Sequence, residues 1–197
     1  MIRATDTVVR RPPHVPGEAG VWVFIMGDMW VFALFFTTFI YYRAQDVALY
    51  TSAQQHLNQS LGAFNTFLLL TSSWFVIHAV EAARAARAAL SRRLLLGALL
   101  CGAGFVAVKY FEYSEKIHAG LTIASNEFFM FYYVLTGIHL LHVAIGMLVL
   151  VYLWQASRSA SRNGAELDIS LLEGGASFWH MVDILWIVLF ALIYMTR

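Results

Sequence analysis

The chain has 197 residues, 60% hydrophobic, 15% aromatic and only 13% charged, with a formal net charge of +1. Soluble domains carry about 25% charged residues, so this composition belongs in a lipid bilayer. The near-neutral balance removes a nucleic-acid binder, which needs a basic face or tail, and a lone cysteine, Cys101, excludes an intrachain disulfide or a CxxC pair.

Residues 1–16 read as a cytoplasmic N-terminal segment that holds all three prolines, Pro12, Pro13 and Pro16. The proline-free remainder, 17–197, reads as a single membrane domain in which helices run uninterrupted. A spanning helix needs about 20 apolar residues, and hydrocarbon tolerates no unpaired backbone. Five blocks meet that need: Val21 to Tyr42, Leu61 to Ala83, Leu94 to Tyr113, Phe128 to Trp154 and Ala176 to Tyr194. The predicted fold class is therefore an all-α integral membrane bundle of five transmembrane helices. Arg3, Arg10 and Arg11 precede the first block as in a secretory signal, but the block is too long and has no small-residue cleavage site, which makes it an uncleaved span.

Gly97, Cys101, Gly102, Gly104 and Ala107 give the third block a face that a neighbouring helix can approach closely. Cys101 itself reads as a small buried hydrophobe. The longest polar insert, Gln155 to Glu173, is expected to be a solvated loop. Trp22, Trp154, Trp179, Tyr41, Tyr42, Tyr113 and Tyr194 fall near block ends, where amphipathic rings anchor to the membrane interface. Asn58-Gln59-Ser60 matches a glycosylation sequon, although nothing else points to a eukaryotic secretory route. With the N-terminus inside, Arg3, Arg10, Arg11, Arg84, Arg87, Arg92, Arg93, Arg158 and Arg162 lie on the inner side, and Arg43, Lys109, Lys116 and Arg197 on the outer. That bias predicts a cytoplasmic N-terminus and a C-terminus outside.

An ionisable side chain within a span costs about 2.5 to 3.5 kcal/mol even on lenient insertion scales, so each needs a partner or a function. The first block holds Asp28; the second Asn65, His78 and Glu81; the third Lys109 and Glu112; the fourth Glu127, His139 and His142; the fifth His180 and Asp183. His139 and His142 share a helical face, as do His180 and Asp183, and Lys109 lies one turn before Glu112. Depth along the helices predicts two polar layers. One is an inner cluster of Asp28, His78, His142, His180 and Asp183, the other an outer Lys and Glu cluster. Three readings of the inner cluster stay open: interhelical hydrogen bonds that fix the packing, a proton relay tuned by burial, or histidine ligation of haem b or a metal. The third meets an obstacle, since His139 and His142 are too close on one helix to be opposite axial ligands. There is no HExxH, GxSxG, Walker A or GxGxxG motif, so catalysis by this chain alone is not expected. A small proton-coupled transporter would need a wet path through Asp28, His142 and Asp183 and an internal repeat, which five spans do not supply.

Taken together the blocks resemble subunit III of the haem-copper oxidase superfamily. Phe178-Trp179-His180-Met181-Val182-Asp183-Ile184-Leu185-Trp186 is similar to the family's Tyr-Trp-His-Phe-Val-Asp-x-x-Trp stretch on the last helix. Leu135-Thr136-Gly137-Ile138-His139-Leu140-Leu141-His142-Val143-Ala144-Ile145-Gly146 resembles its T-G-x-H-x-x-H-V-x-x-G helix. Asn65-Thr66 through Ser72-Ser73, and Lys109-Tyr110-Phe111-Glu112-Tyr113 where the family often has Gln-x-x-Glu-Tyr, are weaker matches. The resemblance covers about residues 17 to 197 and implies a five-helix version of the fold without the two N-terminal helices of longer members, so their lipid-holding cleft is not carried over. In the first span the family often has Ser-Glu-x-x-x-Phe-Phe, where this chain has Gly27-Asp28-Met29-Trp30 before Phe35-Phe36. A proton-related role of that glutamate falls on Asp28, an acid one methylene shorter. Pro16-Gly17-Glu18-Ala19-Gly20-Val21-Trp22-Val23-Phe24 and Gly27-Asp28-Met29 are most similar to the NorE-type branch associated with nitric oxide reductase.

The resemblance implies a non-catalytic membrane subunit that holds no cofactor or metal. Its partner would be the catalytic subunit I of a cytochrome c oxidase, quinol oxidase or nitric oxide reductase, which carries haem with copper or non-haem iron. The implied roles are assembly, contact with membrane lipids including bound phospholipid, and support of proton supply and lifetime of the catalytic core, in a bacterial inner membrane. Under it His180 and Asp183 pin the last helix, His139 and His142 pin the fourth with Asp28 as acidic neighbour, and Glu112 joins the buried polar network. A haem b or metal-binding membrane redox protein built on His78, His139, His142 and His180 is the alternative.

Overall fold

The computed structural model describes residues 19–163 and 168–196. The N-terminal segment 1–16, the Pro16-Gly17-Glu18 part of the opening motif, residues 164–167 of the polar insert, and Arg197 lie outside the described residues. Six α-helices follow one another: α1 Ala19–Gln45, α2 Val47–Gln54, α3 Gln59–Arg84, α4 Ala88–His118, α5 Glu127–Asn163 and α6 Ile169–Phe190. A π-helical turn, Ala191–Met195, continues α6. Five of these, all but α2, are long and apolar enough to cross a membrane. The expected five-span helical fold is present, each span lying where an apolar block was read.

The insert between Gln155 and Glu173 differs from expectation, because α5 continues to Asn163 and α6 begins at Ile169. Polarity misled here. The run from Gln155 to Asn163 has no Gly or Pro, and Arg158 sits over the Trp154 ring at 5.8 Å, so the helix projects from the span with its backbone bonded internally. Asp168 caps α6 by accepting from the Ser170 and Leu171 amides at 2.9 and 3.3 Å. The sequon residue Asn58 is likewise the cap of α3, accepting from Ser60 and Leu61.

α3, α4, α5 and α6 close a four-membered ring in which each packs on two neighbours, and α1 lies outside it against α6 and α5. Glycines set the spacing. Gly97 and Gly104 of α4 lie against Phe75 and Leu68 of α3, the close approach read from the sequence. Gly102 of α4 and Gly146 of α5 together form a slot for the indole of Trp179, and a Cβ at Gly146 would fall 2.7 Å from that ring. Trp179 is therefore a fully buried centre of the ring and no interface anchor. Tyr194 is also buried, whereas Trp22, Tyr41 and Tyr42 are exposed as anchors are. Cys101 is half-buried.

The ring has two dissimilar ends. Arg84, Arg87, Arg92, Arg93 and Arg158 mark the arginine end, where α1, α4 and α6 begin. At the opposite, lysine end lies α2, a helix the hydropathy pattern does not show. Its Tyr50 is wedged edge-on against Phe39 and Phe128, and burial, ahead of nearby Glu127, pushes the phenol up to about 12. Gln54 Nε2 donates to the Ile193 carbonyl at 3.1 Å, and Arg43 Nη2 to the Thr196 carbonyl at 2.7 Å. The altered hydrogen-bond step of the π turn redirects carbonyls at the end of α6, and these two side chains take them up.

Candidate functional site: the buried polar groups

The outer polar cluster forms around Lys109. Its ammonium is 1% exposed and donates to Glu112 Oε2 at 2.9 Å and to the Tyr194 hydroxyl at 2.8 Å, while Tyr194 donates to Glu112 Oε1 at 2.5 Å. Four aromatic rings enclose the cation: Trp186 at 4.9 Å from the centroid, Tyr132 and Tyr194 at 5.3 Å, and Tyr113 at 5.7 Å. Charge, hydrogen bonds and π faces are thus all supplied locally, which a buried ion pair needs if its desolvation is to be offset. Glu127, read as part of this layer, is exposed at the start of α5 and stands apart.

The inner residues do not form one cluster; they divide into separate sites. His142 Nδ1 donates to the Ile138 carbonyl at 2.8 Å, and Nε2 lies 3.1 Å from Asp28 Oδ2. With Nδ1 committed as a donor, the second contact is a hydrogen bond only if Asp28 carries a proton or the imidazole carries two. The contact ties α1 to α5. The expected Asp28 to His142 neighbourhood is present.

The His180 and Asp183 pair is not formed as expected. His180 Nδ1 instead shares a 2.5 Å hydrogen bond with Ser73 of α3. Three residues along a helix place two side chains on neighbouring azimuths without making them touch, and the closer approach of α3 decides the partner. Asp183 is 3% exposed, faces Ser73, and neither carboxyl oxygen has a hydrogen bond among the described residues. His139 also departs from expectation. It is fully buried between Phe105 and Trp186, with centroids at 5.7 and 5.2 Å, and both ring nitrogens and the Asn65 amide are without partners among the described residues. Among the described residues no hydrogen bond or ring contact joins His139 to Asp28 or His142. His78 pairs with Glu81 at 2.7 Å, half-exposed near the arginine end.

Several residues named in the sequence only within motifs or charge counts turn out to be polar partners. Thr66 accepts from the Trp186 indole at 3.0 Å, Thr136 bonds Tyr113 at 2.5 Å, and Arg84 pairs with buried Glu173 at 2.7 Å. Ser and Thr at helical spacing carry no periodic signal of their own, and only the register between helices reveals them. Among the described residues no group of three or more His, Cys, Asp or Glu side chains converges to hold a metal. Among the described residues no hydrogen bond links Asp183 to the Asp28 and His142 pair.

Residues 17–196 match the family model for cytochrome c oxidase subunit III. The chain belongs to the cytochrome c oxidase subunit III family. Relatives support this along nearly its whole length. A probable cytochrome c oxidase subunit 3 from Nocardia farcinica is 32% identical over 96% of this chain and 91% of its own. Cytochrome c oxidase subunit 3 from Synechocystis is 31% identical over 92% and 82%. A heme-copper oxidase subunit I+III from Aeropyrum pernix is 28% identical over 90% of this chain, which spans 22% of that longer protein. In the subunit III frame, the two histidine-bearing stretches that carry the resemblance sit on α5 and α6, the ring helices that receive α1.

Proposed function

We propose that this chain is the non-catalytic subunit III of a haem-copper respiratory complex, an integral helical body that docks on a catalytic subunit I and supports its assembly, lipid surroundings and proton supply. The observation that carries the reading is the match to the Aeropyrum I+III protein, whose name joins this kind of chain to subunit I. The internal pairing of the polar groups supports it, since Lys109, Glu112, Tyr194, Asp28 and His142 are occupied with one another. Haem and copper, or non-haem iron, belong to the partner, and this chain holds none. Bound phospholipid covers the apolar faces that the partner leaves open. Asp28 with His142 joins an acid to an imidazole within the span, and a proton-related role rests there.

The arginine end faces the cytoplasm of a bacterial inner membrane, because the positive charges of the turns gather there. An oxygen-reducing partner is favoured by the names of the relatives; a nitric oxide reductase partner is the second reading, favoured by Gly27-Asp28-Met29. Affinity purification from native membranes tests the proposal. A large haem-bearing subunit is expected in equal amount, and recovery of this chain alone, free of haem, overturns it. A Soret band from the chain by itself would instead favour the haem b reading.

A further inference from the structure

α6 has the largest buried share of the spans, yet one strip of it stays open. Ile184 is 52% exposed and Ile187 42%. Beside that strip α1 and α6 enclose a groove of about 260 Å³ lined by Ile25 and Met29 on one side and Ser177, His180 and Ile184 on the other. A second hollow of about 180 Å³, between α6 and α3, shares Ser177 and His180 with the first and reaches the Arg84 and Glu173 pair at the arginine end. The two meet at Ser177 and His180. From Glu173 in one to Ile184 in the other they cover about 16 Å of α6, roughly half of a hydrocarbon core of about 30 Å.

Its depth decides what fills it. His180 stands two residues from the centre of the span Ile169–Met195, about 3 Å along the axis. His180 lines both hollows, its Nδ1 is taken by Ser73, and Nε2 has no hydrogen bond among the described residues. Whichever tautomer is present, that nitrogen offers either an N–H or a lone pair at the bilayer midplane. A lipid acyl chain has nothing to bond it with, and ester and headgroup oxygens lie far from that depth. A protein side chain projecting from a neighbouring helix supplies the missing group. The remaining wall suits the same occupant. Met29 and Met181 are flexible thioethers that mould to a knob, and the open strip of α6 extends the contact.

We propose that this groove seats a transmembrane helix of the catalytic subunit, with a hydrogen-bonding side chain of that helix on His180 Nε2 and its flanking apolar side chains against Met29 and Ile184. The inference rests on the subunit III reading and names the face through which the partner is held. α4, diagonally across the ring, then faces lipid with Leu100 and Phe111.

The test places a photo-crosslinking benzophenone residue at Met29, Ile184, Leu100 or Phe111 in the full chain in native membranes. Adducts to the haem-bearing subunit are expected from Met29 and Ile184, with only lipid adducts from Leu100 and Phe111. Ile184→Trp, which fills the groove, should lower co-purified haem at least fivefold while leaving the amount and melting temperature of the chain unchanged, and Leu100→Trp should lower it by less than twofold. His180→Gln should retain the partner and His180→Phe should lose it. If the haem subunit is captured from α4 positions and the groove yields only lipid, the proposed face is wrong and the subunit reading stands. Capture of a second copy of this chain from the groove also overturns the proposal. If no position captures a haem subunit and the wild-type chain purifies alone, the subunit reading falls and this inference with it.

Discussion

α1 and α6 are similarly apolar, parallel and both long enough to span, yet 56% of the most apolar stretch of α6 is buried and only 17% of that of α1. Hydropathy does not separate them, because lipid is as good a solvent for leucine as a protein core. What separates them is side-chain size and polarity at the contact. α6 brings Trp179 into a two-glycine slot, Tyr194 into the Lys109 site, and Trp186 onto Thr66. α1 brings the polar tie of Asp28 to His142, with Phe32 against the imidazole, and shows Val23, Trp30 and Leu34 to its surroundings. Inside a bilayer, then, close fit and a few satisfied polar groups choose which helix becomes central.

Four substitutions put that contrast to work. Glu112→Leu should cost most, on the order of 3–5 kcal/mol, because it strands the Lys109 ammonium in the core of the lysine end. Thermal unfolding in detergent measures it, and Glu112→Leu with Lys109→Met should recover most of the loss. Gly146→Ala comes next, at about 1–3 kcal/mol, since the new methyl meets Trp179 at 2.7 Å and the indole must leave its slot. Asp28→Leu should cost less, about 0.6–1.7 kcal/mol, the range of hydrogen bonds between membrane helices. Its mark is local: cysteine accessibility rises along α1 while the four-helix ring melts as before. Leu34→Ala on the open face of α1 should fall within about 0.5 kcal/mol of wild type in detergent. A loss at Leu34 equal to that at Gly146 would erase the distinction between the two helices.

The sequence made the spans legible because their length and lack of charge are properties of each segment by itself. The small-residue face of α4, the Lys109 and Glu112 pair and the Asp28 to His142 neighbourhood were legible too, since a costly intramembrane charge demands a nearby counterpart. What the pattern could not show depends on a second segment. Trp179 reads as an interface anchor from its place in a block, and becomes a core residue only when Gly102 and Gly146 come together around it. His180 takes Ser73 over Asp183 because α3 passes closer than one turn of its own helix. α2 escapes notice since eight residues with polar members make no hydropathy signal, and its value lies in where Tyr50 and Gln54 land.

The peripheral seat of α1 has a consequence in time. Among the described helices α1 is made first, and the helix it packs against most, α6, is made last. About 120 residues separate Gln45 from Ile169, which is roughly 6 to 25 s of synthesis at about 5–20 residues per second. During that interval α1 waits in the bilayer with Asp28 uncovered, because His142 is also still to come. The acid therefore enters the membrane before the imidazole that ties it to α5.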